Sequence, residues 1–102
     1  MSEPSGTGVQ RFTGNFTPGP GGVMTDEVGV VTGELTLATE VGPDGEAVLR
    51  VQYLEADEWY TVTGGRYHLA DPSRAAELHE AALALLATGG ADASTLSVPG
   101  GS

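Results

Sequence analysis

Between residues 34 and 69 apolar and polar positions alternate with a period of two over most of the chain, the pattern of strands buried on one face. Leu35, Leu37, Thr39 and Val41 fall on one parity, and Glu34, Thr36, Ala38 and Glu40 on the other. From 46 to 54, Leu49, Val51 and Tyr53 alternate with Val48, Arg50, Gln52 and Leu54. Between these runs stands "GPDG" at 42–45. Proline suits the second position of a type I turn, aspartate the third, and Gly45 supplies the positive φ of a G1 bulge. Such a loop pairs Gly42 with Glu46. Counting outward sets Thr39 against Leu49, Leu37 against Val51 and Leu35 against Tyr53, so that residues sharing the apolar parity meet across the strands.

The flanking segments extend the sheet. "VQRFTGNF" at 9–16 reads as a strand with Phe12, Gly14 and Phe16 on one face, and "TPGPGG" at 17–22 as an irregular connector. Val28 and Val30 lie out of phase with the run from Leu35, which predicts a bulge near Gly33 within one long strand over 28–41. In "EWYTVTGGRYHL" at 58–69, Gly64 and Gly65 predict a two-residue hairpin loop. That loop pairs Thr63 with Arg66, Val62 with Tyr67 and Tyr60 with Leu69, and places Thr61 beside His68 on the reverse face.

The period changes after residue 70. "DPSRAAELHEAALALLATGG" predicts a helix with Asp71 as N-cap, Pro72 in its first turn and Gly89-Gly90 at its end. Leu78, Ala82 and Leu85 form its apolar stripe, widened by Ala75, Ala81 and Leu86. The expected fold is α+β: an antiparallel meander of about four or five strands with one C-terminal helix on one face. The domain is expected over 9–90, with 1–8 and 91–102 disordered because neither tail spaces apolar residues regularly.

Charge narrows the choice of partners. The 102 residues include 14 acids against 4 arginines and no lysine, for a formal net charge of −10. Nucleic acid and anionic membrane surfaces both need cations on the protein, so direct binding to either is not expected. A protein partner, or a second copy of the chain in a homodimer, remains. The absence of cysteine removes disulfides and thiolate chemistry and fits a cytoplasmic location, as does an N-terminus with no secretory pattern.

No catalytic constellation is visible. "GPGG" at 19–22 lacks the phosphate-loop pattern, no nucleophile elbow occurs, and Ser73 sits at a helix start where serine is ordinary. The two histidines, His68 and His79, do not have the spacing of a zinc-binding pair, and Glu55, Asp57 and Glu58 lack the glycine of a calcium loop. The chain therefore reads as non-catalytic, with no metal and no cofactor.

One helix covers only one side of an antiparallel sheet. The reverse side is then expected to carry Arg50, Gln52, Trp59, Thr61, Arg66 and His68, beside Thr36, Ala38, Val48 and Leu54. Tryptophan and arginine are enriched at binding hot spots, so these six form the candidate binding face. The competing structural reading has Arg50 paired with Glu34 or Glu40, and Trp59 covered by the N-terminal strand or the 17–22 loop. The leading functional reading is a small acidic interaction or accessory protein that uses this open face. The alternatives are a small-ligand binder or minor enzyme with a pocket near Trp59, Arg66 and His68, and an acidic inhibitor of a basic nucleic-acid-binding protein.

Zinc or calcium at stoichiometric concentration is expected to leave the melting temperature unchanged, because a ligand held only by the native state must raise it. A saturable rise in a thermal melt would contradict this expectation.

Overall fold

The computed structural model describes residues 9–93 and Leu96. The expected disordered segment 1–8, and 94–95 and 97–102 of the expected C-terminal tail, lie outside the described residues. The fold is α+β. Its strands are β1 (Gln10–Phe16), β2 (Val23–Thr25), β3 (Gly29–Val31), β4 (Leu35–Val41), β5 (Glu46–Tyr53) and β6 (Tyr60–His68), followed by a 3-10 turn (Pro72–Arg74) and helix α1 (Ala75–Ala87). They form one antiparallel sheet in the order β1-β4-β5-β6-β2-β3. No helix among the described residues is long and apolar enough to cross a membrane.

The hairpin β4–β5 has the expected register: Leu35 opposes Tyr53, Leu37 opposes Val51 and Thr39 opposes Leu49. Gly45 has φ +91°, its N–H donates to the Gly42 carbonyl at 3.0 Å, and the Gly42 N–H donates to the Glu46 carbonyl at 2.9 Å. A side chain at Gly45 would also strike the Leu69 carbonyl, so glycine is required there by conformation and by space.

Two expectations for the sheet are corrected. Residues 28–41 are not one bulged strand. Gly29–Val31 is β3, at one edge of the sheet, and Leu35–Val41 is β4, second from the other edge. The parity slip near Gly33 marks a change of position in the sheet. Nor do Gly64 and Gly65 make a hairpin. β6 runs through them as one strand along β5, with Arg66 opposite Val48 and Thr61 opposite Arg50. Leu49 alone lies between the two β5 partners, against residues 62–65 on β6, so the diglycine is absorbed in an enlarged, irregular bulge. Gly64 takes φ +74°, and a side chain at Gly65 would sit 2.8 Å from the Val62 carbonyl and 3.1 Å from Leu49 Cβ. The bulge turns Val62 toward β2, where it opposes Thr25.

The sheet curls on itself. β3 and β4 lie four strand spacings apart, about 19 Å in a flat sheet, yet the four residue steps from Val31 to Leu35 reach at most about 14 Å. Consistent with curling, Phe16 of β1, Val23 of β2, Val31 of β3 and Leu35 of β4 share one core cluster with Leu37, Leu49, Val51 and Val62. Helix α1 lies across β1 and β4 and closes the concave side. Asp71 caps the 3-10 turn through the Ser73 N–H at 3.0 Å, and the Ser73 hydroxyl, donating to the same oxygen at 2.7 Å, together with that N–H holds its carboxyl below the usual aspartate range. At the other end Gly89 has φ +112°, and the Gly90 N–H donates to the Leu85 carbonyl at 2.9 Å, a Schellman-type stop.

The buried helix positions are Ala75, Leu78, His79, Ala82 and Leu86, whereas Leu85 and Ala81 are half-buried. Leu78 joins a cluster with Val41, Ala47, Leu69 and Ala75, while Ala82 and Leu86 join the larger cluster. His79 lies on the helix between these two groups, and its Nδ1 stands 2.9 Å from the buried Thr39 hydroxyl. Its ring stacks on Phe12 at 5.8 Å between centroids. Burial lowers the His79 pKa, against opposing effects from Glu80 and from a hydrogen bond to the Thr13 backbone. The neutral ring pairs with the Thr39 hydroxyl through Nδ1.

The chain stays packed past Gly90, where the periodicity placed the end of the domain. The Met24 N–H donates to the Ala91 carbonyl at 2.6 Å, the Ala93 N–H to the Thr63 carbonyl at 3.0 Å, and the Tyr67 hydroxyl to the Ala93 carbonyl. Ala93 is fully buried and Leu96 packs against both clusters. Burial, with the nearby Asp92, pushes the Tyr67 phenol up to about 12.

A histidine whose folded pKa lies below its unfolded value resists protonation in the native state, so stability is lost as pH falls below about 6.5 toward the folded value. Urea melts at pH 7.5 and pH 5.0 should show a larger acid loss for the native chain than for His79→Gln, which retains a partner for Thr39. Equal losses would contradict this assignment.

Candidate functional site

The outer face of the sheet is built from the strand residues that alternate with the core positions. Strand pairing arranges them in rows. Arg11, Glu40, Val48 and Arg66 form one row across β1, β4, β5 and β6, and Thr13, Ala38, Arg50 and Thr61 form the next. Asn15, Thr36 and Gln52 form a third, in which the Thr36 hydroxyl donates to Asn15 Oδ1 at 2.9 Å. The single helix lies on the other side, so among the described residues side chains cover the centre of this face.

Trp59 immediately precedes β6, whose first residue Tyr60 opposes Val51. Its ring reaches β1, where the Arg11 guanidinium carbon stands 4.8 Å from the ring centroid. Arg11 and Trp59 thus reach toward each other across β4 and β5. Between them Ala38 is fully buried although it lies on the outer face. A residue no larger than alanine at that position leaves room for the stack. Trp59 itself is half-buried.

One carboxylate ties the arrangement to the sheet. Glu40 Oε2 lies 3.1 Å from Arg11 Nε, and Glu40 Oε1 lies 3.2 Å from Arg50 Nε. The Arg50 partner is therefore Glu40 rather than Glu34. The two guanidinium groups carry about ten N–H donors between them, far more than one carboxylate can accept. A planar, weakly hydrated guanidinium also suits stacking on an indole, a contact worth about 0.5–1 kcal/mol at such exposure.

The six expected site residues separate into groups. Trp59, Arg50 and Gln52 lie together, with Gln52 half-buried opposite Thr36. Thr61 joins them in the backbone register but is 1 % exposed, so it is structural rather than a surface contact. Its N–H donates to Glu27 Oε1 at 2.7 Å, and its carbonyl accepts from the Asp26 N–H at 3.0 Å. Burial pushes the Glu27 carboxyl up, but the Thr61 hydrogen bonds and the Arg50 charge outweigh this and hold it below the usual range. Arg66 is exposed at the end of the Arg11–Glu40–Val48 row. His68 does not meet Thr61. It opposes Glu46, four β5 residues from the Thr61 partner, or about 13 Å along the strand. There His68 Nδ1 pairs with Glu46 Oε2 at 2.8 Å.

Sequence reasoning missed Arg11. The alternation of Phe12, Gly14 and Phe16 places Arg11 on the outer parity, but only the long-range pairing of β1 with β4 brings it beside Glu40. Sequence reasoning also missed His79 as core. The spacing 75, 79, 82, 86 marks it as part of the buried stripe, a signal that its polarity obscured. The described residues form no pocket and no cluster of three or more metal-ligating side chains.

Acidic groups gather elsewhere. The β2–β3 turn, the β3–β4 link and the loop after β5 carry exposed Asp26, Glu27, Glu34, Glu55, Asp57 and Glu58 with no basic residue among them. These segments share one end of the sheet, joined by the Thr61 contacts above and by the Leu54 N–H donating to the Glu34 carbonyl at 3.2 Å. Three of the four arginines lie instead on the outer face.

Comparison with models of protein families, with curated proteins and with solved structures finds no match.

Replacing Arg11 with alanine should free the Trp59 ring at little cost to the fold, about 0.5–1 kcal/mol in a denaturant melt. Acrylamide should then quench Trp59 fluorescence more strongly, and the emission should shift to the red. Unchanged quenching would mean that Arg11 does not hold the ring.

Proposed function

We propose that this chain is a small acidic protein-interaction or accessory protein that docks a protein partner on the outer face of its sheet. One observation supports the reading above others. The only tryptophan is held on the face that the helix leaves uncovered, by an arginine stack and a shared carboxylate rather than by the core. An indole fixed before binding loses little side-chain freedom when a partner arrives, which is how aromatic anchors contribute strongly to affinity. Val48 and Gln52 supply half-buried surface beside it, and exposed Met24 and Val30 extend the same face at the β2–β3 edge. A convex face with no pocket among the described residues suits a protein surface better than a small molecule, which is bound in concave sites.

Trp59→Ala should weaken partner capture by about 2 kcal/mol or more while costing about 1 kcal/mol of stability, since no closed core cavity is created. The comparison is made with the exposed helix variant Ala84→Ser as control, by pull-down from native lysate and by denaturant melts of monomeric protein. A stability loss of about 3–5 kcal/mol with unchanged capture is the core-residue outcome and would remove the interaction reading.

A further inference from the structure

We infer that the segment docked on this face is acidic: an extended stretch of a partner protein with carboxylates flanking an aliphatic or aromatic side chain. The inference rests on the interaction reading above and assigns the chemistry of its partner. The chain carries a net charge of −10, yet three of its four arginines, Arg11, Arg50 and Arg66, lie on the outer face, where Arg11 stacks on Trp59. Two of them share the single carboxylate of Glu40, and their side chains are 46 % and 34 % exposed. Arg66 is exposed, and its side chain forms no hydrogen bond or ion pair among the described residues. The face therefore offers more guanidinium donors than it can satisfy internally. A guanidinium fork matches a carboxylate in geometry and binds it through paired hydrogen bonds. Arg11 and Arg66 end the row that crosses Glu40 and Val48, so carboxylates reaching toward the ends of that row would bracket an apolar side chain over Val48 and the Trp59 ring.

The rest of the charge distribution sets direction. The acidic loops occupy one end of the sheet and repel a negative segment, so its carboxylates are confined to the part of the face that holds the arginines. Recognition depends on short-range contacts at the face rather than on attraction by the whole chain. A basic segment would meet the opposite arrangement: favoured by the net charge, disfavoured beside the arginines.

Trp59 is the only tryptophan, so its fluorescence reports occupancy directly. The probes are two short synthetic peptides, one alternating glutamate with leucine and the other alternating lysine with leucine, titrated into the full chain at physiological salt. The glutamate peptide should give a saturable change in Trp59 emission. Arg66→Glu should weaken it about tenfold or more, while Arg74→Glu, away from the face, should change it less than about twofold. Among the described residues the Arg66 side chain has no partner to lose, and circular dichroism verifies that each variant is folded. A saturable response to the lysine peptide alone would overturn the acidic assignment while leaving the face as an interaction surface. No response to either peptide would overturn it as well, as would equal effects of Arg66→Glu and Arg74→Glu. Sedimentation of the pure chain as a dimer that Arg66→Glu dissociates would make a second copy the occupant, and would likewise overturn the proposal.

Discussion

A single helix has to close a six-stranded sheet in this molecule, and that constraint organises both of its faces. The sheet meets it on the inside by curling, which brings Phe16, Val23, Val31 and Leu35 from distant strand positions into one cluster under α1. A flat sheet of the same strands would leave much of that apolar surface in water. The hydrogen bond between Thr39 and His79 then fixes where the helix sits. It lies between the two apolar clusters, and a shift of α1 by one turn would leave two buried polar groups unpaired.

On the outside the same constraint has the opposite consequence. Among the described residues no second layer covers it, and the face is finished with side chains: Arg11 stacked on Trp59, Glu40 between Arg11 and Arg50, and the small, fully buried Ala38 on the same face. Surface ion pairs of this kind add little to stability. Their effect is to set the Arg11 guanidinium over the Trp59 ring, which is the physical basis for proposing that the face serves recognition.

Much of the sheet was legible where local chemistry and periodicity agreed. "GPDG" and the alternation around it specify one register, because only glycine suits the left-handed bulge at Gly45 and only one pairing sets the apolar parity against itself. Gly64-Gly65 was ambiguous because a hairpin and a bulge both use glycine, and the choice between them depends on β5 pairing with both halves of β6. β2 and β3 are three residues each, too short for a period to show. At the candidate site the outer parity of Arg50, Gln52 and Arg66 could be read from alternation. The burial of Thr61 could not, because it follows from the β2–β3 turn folding against it. The separation of His68 from Trp59 was hidden by the same diglycine ambiguity.

The central claim, that partners dock on the outer face of the sheet, is tested most directly by site-specific photocrosslinking. A photoreactive amino acid is placed in turn at Gln52 on the outer face and at Ala84 on the exposed side of α1, and crosslinking is carried out in cells producing the folded chain. Discrete higher-mass adducts from position 52, with none of the same mass from position 84, are the result expected here. Adducts formed only from position 84, or the same set from both positions, would contradict it.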